Sequence, residues 1–319
     1  MKALPTILEA AAEIQAGRLS AALLLEQCLQ RIARFEPQVR AWVMIDEAGA
    51  RETARRLDDE RKQGKSRGPL DGIPIGIKDI VDVAGWPAKA GSRLRENHRA
   101  ERDAELVARL RNAGAIILGK TVTTAFASFD PPPTRNPWNL DRTPGGSSSG
   151  SAAAVATGMC LAAIGSQTGG SITRPASYCG VAGCKPTWGR VSCSGVVPFS
   201  FHLDQPGPLA RSVADLAIIV RTIAGYDPSD PVCQNVPLND DRTGPLGRMP
   251  KIGLLEEYFF ETASEPVRQV ARRAIERLRA AGLETQTVAL PASFADAHRG
   301  QRVIMAVDAA AHHVDNFPS

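Results

Sequence analysis

Apolar and polar residues follow two different periods along this chain, and the two periods alternate. Residues 20–35 carry apolar side chains at helical spacing behind Ser20, a residue type that often caps a helix N-terminus. Short runs at 74–78, apolar up to its last residue, and at 115–119 are instead typical of buried strands. Because buried strands need cover on both faces, helices between them predict an α/β fold.

The same patterns predict further elements on either side of a long irregular stretch. Helices are predicted over 46–62, 102–112, 212–223 and 264–281, and strands over 41–45, 251–256 and 285–290. Residues 129–207 are rich in Gly, Ser and Pro, and we expect special loops there. So many glycines permit a close approach of the backbone to a ligand, which makes this stretch the place to look for chemistry.

Composition narrows the class of protein. Of 319 residues, 43% are hydrophobic and 23% are charged, as in globular soluble proteins, and no apolar run is long enough to span a membrane. The net charge of +4 is spread along the chain. Its densest basic stretch, Arg51 to Arg67, is interleaved with acidic residues and predicts a solvated helix face. We therefore expect neither direct nucleic-acid binding nor a membrane partner.

Cysteine usage indicates the compartment. The six cysteines form no C-x-x-C pair and no Cys/His group with zinc spacing. The N-terminal segment carries Glu9 and Glu13 within its apolar stretch, which is typical of a helix and not of a signal peptide. We therefore predict a cytoplasmic protein that uses no metal and no cofactor.

Three segments carry candidate chemistry, and each is weak alone. Lys78 ends the apolar run PIGIK, Ser147 lies in GGSSSG, and Ser171 lies in TGGS. A lysine after a strand is usually solvated, and a Gly/Ser run is most often a flexible linker. The helix-forming sequence SAAAVATG directly after GGSSSG argues against a linker.

Taken together, the three segments resemble the amidase signature family. They occur in the family's order, and Ser147 precedes Ser171 by 24 residues, similar to the family's spacing. The flanks TRNPWN, CGVAGCKPT and DQPGPLARSVADLA agree as well. The resemblance implies a single domain over residues 1–319 with its signature core at about 70–210. It also implies a central mixed, mostly parallel sheet covered by helices on both faces.

The resemblance further implies a Ser-Ser-Lys mechanism. Ser171 would be the nucleophile, Ser147 (on a cis peptide bond in relatives) would relay protons, and Lys78 would be the base. The oxyanion hole would be formed at Thr168, Gly169 and Gly170, together with the backbone N–H of the nucleophile. Burial behind the apolar run would lower the pKa of Lys78 toward neutrality.

Two departures from the family pattern concern the substrate. Gln167 stands where many relatives have aspartate, and Thr173 displaces the family's arginine by one place, to Arg174. A malonamidase-like subgroup looks similar and uses this arginine to bind a substrate carboxylate. Ser166 and Arg174 are therefore the expected substrate-binding residues, although Arg174 as a structural tie between loops is an equal alternative.

The chain stops earlier than family members usually do, so we expect that C-terminal segments of the usual fold are missing. The leading hypothesis is hydrolysis of a small amide by a protein that forms a homodimer, as relatives suggest. One alternative is the glutamine-hydrolysing subunit of an aminoacyl-tRNA amidotransferase, which would need partner subunits. Another is a non-catalytic remnant that only binds a partner.

Overall fold

A computed structural model describes residues 4–237 and 247–314. The helices are α1 (Ile7–Gln15), α2 (Ala21–Val39), α3 (Glu47–Lys62), α4 (Glu105–Asn112), α5 (Ser149–Thr157), α6 (Thr173–Cys179), α7 (Val213–Ile223), α8 (Phe259–Thr262), α9 (Glu265–Ala280) and α10 (Ala297–His313). The strands are β1 (Trp42–Ile45), β2 (Pro74–Lys78), β3 (Ile116–Thr121), β4 (Ala162–Gln167), β5 (Ala182–Gly183), β6 (Gln205–Ala210), β7 (Ile252–Leu254) and β8 (Thr285–Thr287).

The large sheet confirms the predicted α/β class with a central mixed sheet. Its six strands run in the order β1-β3-β2-β4-β6-β5. The central strands β3, β2 and β4 are mutually parallel, whereas β1, β6 and β5 add antiparallel pairs at the two sides. Parallel strands at the centre bring the C-terminal ends of β2 and β4 to the same edge of the sheet.

Burial explains why these strands have little alternation in their sequences. Every residue of β2, β3, β4 and β6 is buried, so both faces of the sheet are covered. Helices α2, α3, α5 and α7 supply contacts to these strands. The predicted cap is present, since Ser20 Oγ accepts a hydrogen bond from the Leu23 amide. Ser212 caps α7 in the same way, and its Oγ accepts from the Asp215 amide.

The expectation of loops over 129–207 is wrong at several places after residue 148. Helix α5, strand β4, helix α6 and strand β5 all lie there, and β6 begins at Gln205. Their small side chains obscure the periodicity but permit close packing. A Cβ at Gly165 in β4 would lie only 2.6 Å from Ser148 Oγ, so glycine is required for the approach of the two segments.

The described residues cluster into two compact units, one with residues 4–237 and 304–314 and the other with residues 247–303. The first contains the large sheet, and the second contains the parallel pair of β7 and β8. The prediction of a single domain over 1–319 is not tested by this clustering and stays a prediction. No helix among the described residues has the length and apolar composition that a membrane span requires.

Candidate active site

Lys78 lies at the end of β2 with its side chain fully buried. Its Nζ atom is 2.7 Å from Ser147 Oγ and 2.9 Å from Ser166 Oγ. Ser166 belongs to β4, the parallel neighbour of β2 in the sheet. The two parallel strands thus bring a lysine and a serine together at one edge, and the amine contacts two hydroxyl groups there.

This setting changes the protonation of the amine. Burial lowers the pKa of Lys78 from its ordinary 10.5 to about 7, and the negative charge of Asp204 partly opposes that change. A buried ammonium loses its hydration, and hydroxyl partners compensate less well than a carboxylate would. Lysine in water is almost wholly protonated at pH 7, whereas a pKa near 7 leaves about half of the Lys78 side chains neutral.

The serine loop (residues 145–151) is an ordered part of the core. Its peptide bond between Gly146 and Ser147 is cis, and Gly145 has a φ of 78°, in the region that favours glycine. All four serine side chains are buried. Ser147 contacts Lys78 Nζ, and Ser148 contacts the backbone of Ser166. Ser149 donates to the Gly145 carbonyl, and Ser151 contacts the Thr121 hydroxyl and the Ile164 carbonyl. The interpretation of GGSSSG as a flexible linker is therefore wrong.

Ser171 lies in a tight turn, the Ser171 turn (residues 167–173), between β4 and α6. Gln167 Oε1 accepts hydrogen bonds from the amides of Ile172 and Thr173, both at 2.9 Å, and Gln167 Nε2 donates to the Gly169 carbonyl at 3.0 Å. The Gln167 side chain thus stabilises the turn through three hydrogen bonds to its backbone. The Ser148 amide donates to the Ser171 carbonyl at 3.2 Å, which holds the turn against the serine loop.

Backbone amides of the Ser171 turn were predicted to form an oxyanion hole. Among the hydrogen bonds of the described residues, none uses the amide N–H of Gly169, Gly170 or Ser171. Thr168 contributes a different contact, since its hydroxyl donates to Asp204 Oδ1 at 2.5 Å. Three successive amides without an acceptor could donate to an oxyanion that forms beside the turn. Their role as an oxyanion hole stays a prediction.

Arg174 reaches toward the serine loop in this structure. Its Nε and Nη2 atoms donate to the Gly146 carbonyl at 3.0 and 2.6 Å, so the guanidinium holds the residue before Ser147. The same arginine lines a cavity of about 290 Å³ together with Phe129 and Tyr178. The tie between loops is therefore observed, and a role in binding a substrate carboxylate stays a prediction.

A second cavity, of about 210 Å³, opens beside the lysine. Ser166, Ser200, Phe201 and Asp204 are among the residues that line it. Asp204 was not predicted as a site residue, because nothing in a lone aspartate distinguishes it from a surface residue. The only signal for it was its place in the flanking segment DQPGPLARSVADLA. Within the described ranges, no group of three or more His, Cys, Asp or Glu side chains could hold a metal ion.

Comparison with known proteins gives a consistent result. Residues 23–317 match the amidase family. A glutamyl-tRNA(Gln) amidotransferase subunit of Roseiflexus castenholzii is 46% identical over 296 residues, covering 90% of this chain and 60% of that protein. The same subunit of Chloroflexus aggregans is 43% identical over 294 residues, with the same coverage of 90% and 60%. The chain thus spans about 60% of the length of these curated relatives.

Solved structures of the same kind superpose well. Native peptide amidase from Stenotrophomonas maltophilia has a TM-score of 0.85 at 37% identity, covering 97% of this chain and 67% of that one. The corresponding glutamyl-tRNA(Gln) amidotransferase subunit of Thermotoga maritima has a TM-score of 0.80 at 34% identity, covering 98% and 68%. The fold and the sequence therefore indicate the same family.

Proposed function

The chain belongs to the amidase family, and from this premise we propose that it hydrolyses amide bonds through an acyl intermediate on Ser171. The observation that carries the proposal is the buried Lys78 amine, which lies 2.7 Å from Ser147 Oγ. Among the described residues, no carboxylate lies at hydrogen-bond distance from this amine. A neutral amine near pH 7 is the general base that serine needs, because a serine hydroxyl alone is a weak nucleophile.

In the proposed acylation, a proton is relayed from Ser171 through Ser147 to Lys78. Neutral Lys78 takes the proton of Ser147 Oγ while Ser147 takes the proton of Ser171 Oγ. Ser171 Oγ forms a bond to the amide carbonyl carbon, and the carbonyl electron pair moves to oxygen. The amides of Gly169, Gly170 and Ser171 would stabilise that oxyanion, each donor contributing about 3 kcal/mol.

Collapse of the tetrahedral intermediate breaks the carbon–nitrogen bond. The leaving nitrogen takes a proton back from the Lys78 ammonium through Ser147 and departs as ammonia or an amine. Water then attacks the ester carbon on Ser171 while the same relay accepts its proton. The bond between Ser171 Oγ and the acyl carbon breaks, the relay returns the proton to Ser171 Oγ, and the carboxylic acid is released. The relay ends as it began, so no cofactor is consumed.

For the substrate, the relatives favour the alternative of the sequence analysis over its leading hypothesis. The curated relatives are amidotransferase subunits, so we propose glutamine as the first amide to test, with ammonia delivered to partner subunits. Hydrolysis of other small or peptide amides is the second candidate, supported by the peptide amidase structures. The predicted homodimer and cytoplasmic location stay predictions.

Arg174 offers a way to separate acidic from neutral substrates. A guanidinium binds a carboxylate through two parallel hydrogen bonds, so an acid-bearing amide would have to compete with the Gly146 carbonyl. We expect Arg174→Ala to reduce kcat/KM for acidic amides about tenfold more than for neutral ones. Equal losses on both classes would leave Arg174 as a structural tie only.

The proposed function is tested by ammonia and amine release from a panel of glutamine, neutral amides and acidic amides. The purified chain is compared with Ser171→Ala, alone and with candidate partner subunits added. Release that requires Ser171 supports the proposal, and release that rises with partners favours the amidotransferase setting. A folded protein that releases nothing under either condition would support the non-catalytic alternative.

A further inference from the structure

Asp204 connects three parts of the site. It directly precedes β6, whose pairing with β4 sets Gln205 opposite Gln167. Asp204 Oδ1 accepts the hydrogen bond from the Thr168 hydroxyl at 2.5 Å. Its Oδ2 accepts from the amides of Phe199 and Ser200 at 2.7 and 3.0 Å. The carboxylate is therefore held between the Ser171 turn and the wall of the cavity beside Lys78.

The donors that hold this carboxylate do not neutralise its charge. They are a hydroxyl and two amides, all uncharged. Among the described residues, the titratable groups that its charge affects are Lys78 on β2, Cys193, whose thiol donates to the Asp204 carbonyl, and His312 on α10. Asp204 lies near Lys78, because Ser166, whose hydroxyl contacts Lys78 Nζ, lines the same cavity as Asp204. Ser166 also pairs with Pro206, two residues after Asp204. Lys78 contacts no carboxylate within the described ranges, so the charge of Asp204 acts on an amine that has no anion bound to it.

We propose that Asp204 is a positioning residue of the amidase reaction, which fixes Thr168 in the Ser171 turn and holds a negative charge beside the partners of Lys78. Any effect on catalysis rests on the proposed function, whereas the contact with Thr168 and the effect on Lys78 do not. Asp204 would position the turn through the hydrogen bond of Oδ1 and would act on Lys78 through its charge.

Asp204→Asn separates these two roles, because it removes the charge and keeps the shape. The Asn carbonyl can still accept from the Phe199 and Ser200 amides, and its NH2 group can donate to the Thr168 hydroxyl. Negative charge favours the ammonium form of Lys78, so its removal favours the neutral amine. We expect the midpoint of the Lys78 titration to move to lower pH in Asp204→Asn.

The midpoint is measured by NMR on the full chain labelled with 13C at lysine Cε, with Lys78→Met identifying the signal. Asp230→Asn is the matched control, because Asp230 lines the same cavity and its carboxylate accepts from the amides of Cys193 and Val232. We expect the control to leave the midpoint nearer to wild type than Asp204→Asn does. An unchanged midpoint in Asp204→Asn would overturn the electrostatic part.

Thr168→Val tests the geometric part, since it removes the hydroxyl and leaves the charge of Asp204. We expect the rate at which a fluorophosphonate probe labels Ser171 to fall about tenfold, with the Lys78 midpoint unchanged. A wild-type rate in Thr168→Val would overturn the positioning of the turn. The NMR titration needs no turnover, so an inactive wild type would contradict the proposed function and still decide whether Asp204 acts on Lys78.

Discussion

Two buried lysines lie on adjacent strands of the large sheet and differ in their partners. Lys78 and Lys120 both have fully buried side chains, and burial lowers the pKa of each. Lys78 Nζ contacts two hydroxyls, whereas Lys120 Nζ lies 3.1 Å from Asp79 Oδ1 and 2.9 Å from the Pro87 carbonyl. The carboxylate opposes the effect of burial at Lys120.

The comparison shows that burial alone does not make a lysine into a base. A carboxylate partner compensates a buried ammonium, so Lys120 serves as half of an ion pair. Hydroxyl partners can accept from an ammonium or donate to a neutral amine, so they permit both states of Lys78. The difference in partners therefore supports the proposed role of Lys78 as a base and a structural role for Lys120.

The largest expected effect is on catalysis by Lys78. Replacing it as Lys78→Met removes the base while keeping an unbranched side chain, and we expect kcat for amide hydrolysis to fall about 10³-fold. Steady-state kinetics on folded protein checks this, with Lys120→Arg as a cationic control at the other lysine. Similar losses in both variants would break the distinction between the two residues.

The next effect is on stability at Lys120. Lys120→Met leaves the buried Asp79 carboxylate without its partner, so we expect the free energy of unfolding to fall by about 3–5 kcal/mol. Urea denaturation measures it. The double variant Asp79→Leu with Lys120→Met should recover much of the loss, because both charges of the pair are then gone. A single variant as stable as wild type would show that the ion pair is not structural.

Lys78→Met should have the opposite effect on stability. The pKa of Lys78 is about 7 in the folded chain, against an ordinary value of 10.5. Between these two pH values the amine is protonated in the unfolded chain and mostly neutral in the folded chain, so releasing the proton costs free energy on folding. This penalty grows as pH falls from 10.5 toward 7. Allowing for two lost hydroxyl contacts, we expect the variant to be about 2 kcal/mol more stable at pH 7.

The pH dependence is the control for that stability gain. Unfolding measured at pH 7, 8.5 and 10 should show the advantage of Lys78→Met shrinking as pH rises, since wild type regains stability over this range. An advantage that is constant with pH would come from packing and not from protonation. Loss of stability at pH 7 would contradict the lowered pKa.

The smallest effect concerns Ser166. Ser166→Ala removes one of the two hydroxyl partners of Lys78, worth about 1 kcal/mol, so we expect kcat/KM to fall about fivefold. Ser177→Ala, on the exposed side of α6, is the matched control and should change nothing. A loss near that of Lys78→Met would instead give Ser166 a direct part in proton transfer.

The sequence predicted those elements whose signals are local. The buried run of β2 and the cap of α2 at Ser20 were predicted from a few neighbouring residues, and both are present. Strands β4 and β6 were missed, because β4 is built of small residues and β6 contains Pro206 and Pro208. The Pro208 carbonyl accepts from the Cys184 amide, so the side of β6 that lacks N–H groups faces the short strand β5.

The site was predictable only in part for the same reason. Lys78, Ser147 and Ser171 were named from motifs, and the structure brings Lys78 to Ser147 and the Ser171 turn to the serine loop. Asp204 and the Lys120–Asp79 pair were not named, since their partners lie far away in sequence. Long-range contacts of this kind follow from sheet register, which local patterns do not specify.

The central claim is that this chain assembles an activated Ser171. Intact-mass analysis after treatment with a fluorophosphonate probe tests it most directly, with wild type and Ser171→Ala compared in parallel. We predict one adduct on wild type and none on the variant, with a labelling rate that rises through pH 7 as Lys78 loses its proton. A folded wild type that takes up no adduct, or an adduct that persists in Ser171→Ala, would contradict the account.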